Sequence, residues 1–183
     1  MRPALACVEL ISIARGIKVT DEMLKKAPVH LIESTTICPG KYIVVIGGDV
    51  DPVEESYLKG LEIGGSSVVD QLFLPYAHEQ LLPAISATTP VKEIDSLAIV
   101  ETFSVASAIL AADASCKRAK VNLIELRLAR GIAGKAFYTM TGTLYDIEAA
   151  VEAAEQILGK ESGLLLRVEI IPRPHPDLIV KLL

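Results

Sequence analysis

Hydrophobic and polar positions along this chain trace one cycle of elements that is run through twice. Each cycle opens on a short apolar run, Leu5 to Ile11 and again Leu97 to Phe103, that reads as a strand. An amphipathic stretch with helical spacing comes next (Ile17 to Ala27; Val105 to Lys117), followed by a second strand pattern (His30 to Ile37; Asn122 to Leu128) and a glycine-containing loop. A β-rich run (Tyr42 to Ile46; Ala136 to Met140) then leads through a glycine turn into a second helix with an acidic opening (Asp51 to Ile63; Asp146 to Leu158). In the first cycle Asp51-Pro52 puts proline at the helix start, where its missing N–H costs little. A last strand (Val68 to Leu74; Leu164 to Ile170) completes the order βαββαβ, an α/β pattern of the ferredoxin-like α+β type.

The two cycles are also similar residue by residue. At an offset of 92 positions, Ala6, Glu9 and Ser12 fall on Ala98, Glu101 and Ser104, and Ala27, Val29, Leu31, Ile32 and Glu33 fall on Ala119, Val121, Leu123, Ile124 and Glu125. With a two-residue insertion in the second copy, Gly40-Lys41 meets Gly134-Lys135 and Gly48 meets Gly142; with three more, His78 and Leu81 meet His175 and Leu178. The expected organisation is therefore two homologous domains, residues 1–88 and 96–183, joined by a linker from Pro83 to Asp95.

Composition narrows what such a chain does. Hydrophobic residues make up 51% and mean hydropathy is +0.43, while aromatics are only 4%, so the cores are built from Ala, Val, Ile and Leu. The surplus apolar surface has to be buried between subunits, which points to an oligomer. Charged residues interrupt every candidate for a spanning helix, and the apolar run Pro3 to Val8 ends at Glu9, so neither a membrane span nor a signal peptide is expected. A net charge of −5 without any basic run argues against nucleic acid as a partner. Three cysteines, an odd number at wide spacing, form neither a disulfide framework nor a zinc motif and suit a reducing cytoplasm. No HxxxH or HExxH spacing occurs among His30, His78 and His175, and Glu9 and Glu101 recur in equivalent strands, which suits structural roles better than an acid–base pair. An enzyme is not expected.

Several phrases resemble the shell proteins of bacterial microcompartments. DEMLKKA (residues 21–27) resembles that family's helix with an edge lysine, VIGGDV (45–50) its strand and turn into the second helix, and IPRPH (171–175) its closing motif. TICPGK (36–41), with the unpermuted order of both copies, is similar to the tandem-domain branch found in propanediol-utilisation microcompartments. The resemblance implies a homotrimer that imitates a hexamer, a flat tile set in a cytoplasmic microcompartment shell beside other shell proteins. Encapsulated redox enzymes are the further partners it implies.

Cys38 lies between the second and third strands of the first copy, where Pro39 restricts it to extended conformations and Gly40 allows a tight bend. Taken alone, it reads as a free thiol used as a small loop residue. By the resemblance this loop lines the central pore of the trimer, so three Cys38 thiolates would share one 4Fe–4S cluster and leave one iron to a ligand other than cysteine. Pro39, Gly40 and Lys41 would line the same pore, and so would Gly131, Ile132, Ala133 and Gly134 of the matching loop, which has no cysteine. A glycine-rich turn without any transport role is the plain alternative for that second loop. Lys25, Lys117, Arg173 and His175 match the family's tile edge; the first copy departs from the closing motif, with Tyr76 in LPYAH where an arginine is expected. Two other classes compete. A small-ligand-binding regulator can be built on ferredoxin-like trimers without a metal, and a cysteine enzyme would need a base near Cys38, which the sequence does not supply.

Overall fold

A computed structural model describes residues 3–91, 93–159 and 163–182. Met1, Arg2 and Leu183, at the ends of the expected domains, and Lys92, inside the expected linker, lie outside the described residues. The chain packs as two units: one runs to Ala77 and takes in Ala129–Gly134, and the other consists of His78–Leu128 and the residues from Lys135 onward.

The first unit contains β1 (Ala4–Leu10), α1 (Ile13–Lys26), β2 (His30–Ile37), β3 (Lys41–Gly48), α2 (Val50–Gly64), a 3-10 turn at Gly65–Ser67 and β4 (Val68–Leu74). Its strands form one antiparallel sheet in the order β2-β3-β1-β4, the arrangement that βαββαβ connectivity produces in a ferredoxin-like fold. Alternation along β1 sends Ala4, Ala6, Val8 and Leu10 to one face, where they meet Val19 and Met23 of α1 and Val53 of α2. Tyr57 stacks on Phe73 at the margin of this core, with ring centroids 5.7 Å apart.

The second unit contains α3 (Leu81–Ile85), β5 (Ser96–Thr102), α4 (Val105–Arg118), β6 (Asn122–Arg127), β7 (Ala136–Gly142), α5 (Leu144–Leu158), β8 (Leu165–Pro172) and α6 (Pro176–Leu182). Its sheet repeats the first, in the order β6-β7-β5-β8.

Element boundaries differ from the sequence expectation where capping decides them. Helix α1 starts at Ile13 rather than Ile17 because the Ser12 hydroxyl accepts the Arg15 N–H at 3.3 Å; Ser104 does the same for Ser107 at 3.1 Å. Helix α2 starts at Val50, so Pro52 is its third residue and not its first. Proline is still harmless there, because the first four N–H groups of a helix have no partner within it. The expected linker from Pro83 begins inside α3, whose Leu81 and Ala84 are buried, and His78 and His175 lie beyond their last strands, ahead of α3 and α6. The two units therefore do not divide at residue 88: the segment after Ala77 packs with the second.

Candidate functional site

Strands β2 and β3 are joined by Cys38, Pro39 and Gly40, and the turn is closed by a hydrogen bond from the Gly40 N–H to the Ile37 carbonyl at 3.0 Å. The Cys38–Pro39 peptide is cis, and Gly40 has φ of 94°, a conformation that favours glycine. The turn is held from outside as well. The Cys38 N–H donates to the Ala129 carbonyl at 3.4 Å, and a Cβ on Gly134 would stand 2.7 Å from the Cys38 carbonyl oxygen. Only glycine permits that approach, so Gly134 is needed where it is. At the neighbouring bend Arg130 forms an ion pair with Glu33 of β2.

The turn and the loop together line an open cleft of about 610 Å³, with Cys38, Pro39, Gly40, Arg130 and Gly131 among its wall residues. Gly131 and Ala133 are exposed and Gly134 is buried; Ile132 is half-buried. Lys41, expected to line the same opening, turns its ammonium to the fully buried Glu9 carboxylate at 3.1 Å. The second copy has the same pair in looser form, Lys135 and Glu101 at 3.7 Å with both side chains partly exposed. Sequence reasoning assigned the two glutamates structural roles but missed their lysine partners. The signal was present, since Glu9/Lys41 and Glu101/Lys135 recur in matched register.

The three thiols differ sharply. Cys7, in β1, is fully buried, and desolvation, reinforced by Glu9 and Asp70, pushes its thiol well above the usual range. Cys116, in α4, is pushed up to about 12 by burial, with Asp113 adding to it. Both stay protonated at neutral pH and are poor metal ligands, since the ligand is the thiolate. Cys38 alone is partly exposed. Among the described residues no group of three or more His, Cys, Asp and Glu side chains that could hold a metal ion gathers. One accessible thiol per chain fits a cluster only if several copies contribute.

The expected edge residues are all exposed. Lys25 pairs with Asp21, which raises the lysine pKa through a hydrogen bond and the carboxylate charge; Lys117 pairs with Asp113 in the same i, i+4 geometry. The Arg173 N–H donates to the Asp95 carbonyl at 3.1 Å, and His175 Nδ1 accepts the Asp177 N–H at 3.2 Å. No helix among the described residues is long and apolar enough to cross a membrane.

Comparison with known proteins adds the following. The BMC domain family matches residues 4–77 and again 96–174. The bacterial microcompartment shell protein PduT of Citrobacter freundii is 42% identical over 178 residues, covering 97% of this chain and 96% of that protein. The carboxysome shell protein CcmK1 of Synechocystis sp. is 28% identical over 85 residues, 44% of this chain and 77% of its own length. A crystal structure of a microcompartment protein from Desulfitobacterium hafniense superposes with a TM-score of 0.91 at 45% identity, covering 98% of this chain and 99% of the other. A fused permuted hexameric shell protein, MSM0275, has a TM-score of 0.65 at 19% identity over 88% of this chain and 83% of its own, a likeness of fold alone.

Proposed function

The chain belongs to the BMC domain family and is a structural shell protein of a bacterial microcompartment, and on that premise we propose that three copies close into a pseudohexameric tile whose central pore holds a 4Fe–4S cluster through Cys38. Six domains in three chains give the tile its six corners, and a cyclic trimer leaves no interface unpaired. The observation that carries the cluster reading is the contrast among the thiols: Cys38 is reachable on a braced turn at the wall of a cleft, while Cys7 and Cys116 are buried and protonated.

Three thiolates leave one iron of a 4Fe–4S cluster to water or a small molecule. When bound, the cluster supplies one-electron redox chemistry at the pore. This chain's residues do the positioning: Pro39 and Gly40 shape the turn, Gly134 lets the neighbouring loop close on the Cys38 carbonyl, and Arg130, paired with Glu33, lines the same cleft. Lys25, Lys117, Arg173 and His175 would meet neighbouring tiles, and redox enzymes inside the compartment would exchange electrons through the pore. We assign the chain no catalysis of its own.

Anaerobic purification with iron and sulfide analysis, visible absorption and EPR after reduction tests this. The expected result is about four iron atoms per three chains in the wild type and none in Cys38→Ser. An iron-free wild type under those conditions would sink the cluster assignment, and a monomer in sedimentation equilibrium would sink the tile.

A further inference from the structure

Residues 78–85 show how the piece that follows a last strand is used within a unit. The His78 N–H donates to Asp113 Oδ1 of α4 at 2.8 Å. The Gln80 side chain accepts the Leu123 N–H at 2.7 Å and donates to the Val121 carbonyl at 2.9 Å. Leu81 and Ala84 of α3 are buried against β6. Strand β6 is the edge of its sheet, and an uncovered edge is open to pairing, so this segment acts as its cover.

The repeat carries every member of that arrangement to a second set of positions. On the covering side, His78, Gln80 and Leu81 correspond to His175, Asp177 and Leu178, at and just before the start of α6. On the receiving side, Asp113, Cys116, Val121 and Leu123 correspond to Asp21, Leu24, Val29 and Leu31. Both halves of this second set are uncovered in the chain. Leu178 is 39% exposed where Leu81 is 0%, and Leu31 and Leu24 are 43% and 41% exposed where Leu123 and Cys116 are 0% and 8%. Strand β2, which carries Leu31, is again an edge strand. A helix of seven residues with Leu178 and Val180 facing water has little stability of its own and needs tertiary packing.

We infer that α6 of one copy docks on β2 and the neighbouring face of α1 of the next copy, repeating between chains the cover that α3 provides within the second unit. The His175 N–H then meets Asp21, the Asp177 carboxylate accepts the Leu31 N–H, and Leu178 takes the place of Leu81. Asp177 differs from Gln80 in having no donor, so the bond corresponding to the Val121 carbonyl is not reproduced, while the bond it accepts becomes charge-assisted. Because the cover sits on one unit and the receiver on the other, the contact is head-to-tail and propagates until a ring closes. This rests on the trimer proposed above and names the contact that closes it.

The test uses the full chain in a Cys38→Ser background, to which Leu31→Cys and Leu178→Cys are added singly and together. Mild oxidation of an equimolar mixture of the two single variants is expected to give covalent dimers, and the double variant covalent trimers. Leu178→Asp and Leu31→Asp are each expected to remove the trimer in sedimentation equilibrium. A wild type that is itself monomeric would overturn the trimer and this contact together. A trimeric wild type with no cross-link in the mixture, or a double variant linked only within one chain, would overturn the α6 contact and leave the trimer standing.

Discussion

Helices α1 and α4 hold the same place in the two copies, with the same length, the same serine cap and the same Lys–Asp pair near the end, yet they are packed by opposite means. In the first copy Gly16 lies under Tyr42, whose Cβ and two ring carbons come within 2.4 to 2.6 Å of where a Cβ would be. In the second copy the corresponding residues are Ala108 and Ala136, so the bulk is divided between the two sides. Deeper in the core, Met23 lies over Gly60, with Sδ 2.7 Å from a Cβ placed there, whereas the corresponding residues of the second copy are Ser115 and Ala154, and Ser115 hydrogen-bonds the Tyr138 hydroxyl at 2.9 Å. Volume has been exchanged across the helix–sheet contact while the backbone order stayed the same, the kind of change that cores tolerate when total volume is kept. The outward faces differ as well: Ile13, Ile17 and Leu24 are exposed on α1, and Val105, Ile109 and Cys116 are buried on α4. Duplication preserved the fold and left each copy to specialise its outer surface.

The widest expected gap between the copies is in thiol chemistry. A thiol reagent such as Ellman's should modify Cys38 in the folded, iron-free protein and Cys116 only on unfolding, and Cys38→Ser should leave no fast-reacting thiol; rapid labelling of Cys116 would break the contrast. The pH dependence has a definite sign. The folded Cys116 value of about 12 lies above that of an unfolded thiol, so its contribution to stability is complete below about pH 8.5 and is lost as pH rises toward the folded value. Chemical denaturation across that window should show unfolding free energy falling by up to about 1.4 kcal/mol per pH unit from this group.

Next in size are the two Lys–Glu pairs. Lys41→Met takes the cation away from the fully buried Glu9 carboxylate and should cost about 3 kcal/mol, whereas Lys135→Met, beside a partly exposed Glu101, should cost below about 1 kcal/mol. Equal losses in urea unfolding would mean that the two carboxylates are solvated alike. The smallest effects belong to the helix positions. Gly16→Ala should cost about 1–3 kcal/mol by forcing the Tyr42 ring aside, and Ala108→Gly about 1 kcal/mol through helix propensity. Combining Gly16→Ala with Tyr42→Ala, which copies the second unit, should show a favourable coupling in a double-mutant cycle; additive losses would argue against compensated packing.

Much of the fold was legible because strands and helices announce themselves by period and the duplication reads every signal twice. The α6 and α3 helices were not, since Leu81 to Ile85 and Pro176 to Leu182 are too short for a helical period to register and α3 is held by contacts to β6. Cys38 stood out through ICPGK, but its bracing by Ala129 and Gly134 involves residues about ninety positions away, beyond the reach of any local pattern.

By itself the sequence determined the duplication, the βαββαβ order of each copy and the presence of one cysteine on a Pro-Gly turn, because all of these are local or periodic. Only the tertiary structure decided which thiol is reachable, that Lys41 faces Glu9, and which edge strand α3 covers. Burial and ion pairing depend on the register of strands far apart in sequence, and a single residue's type does not encode its distance from water.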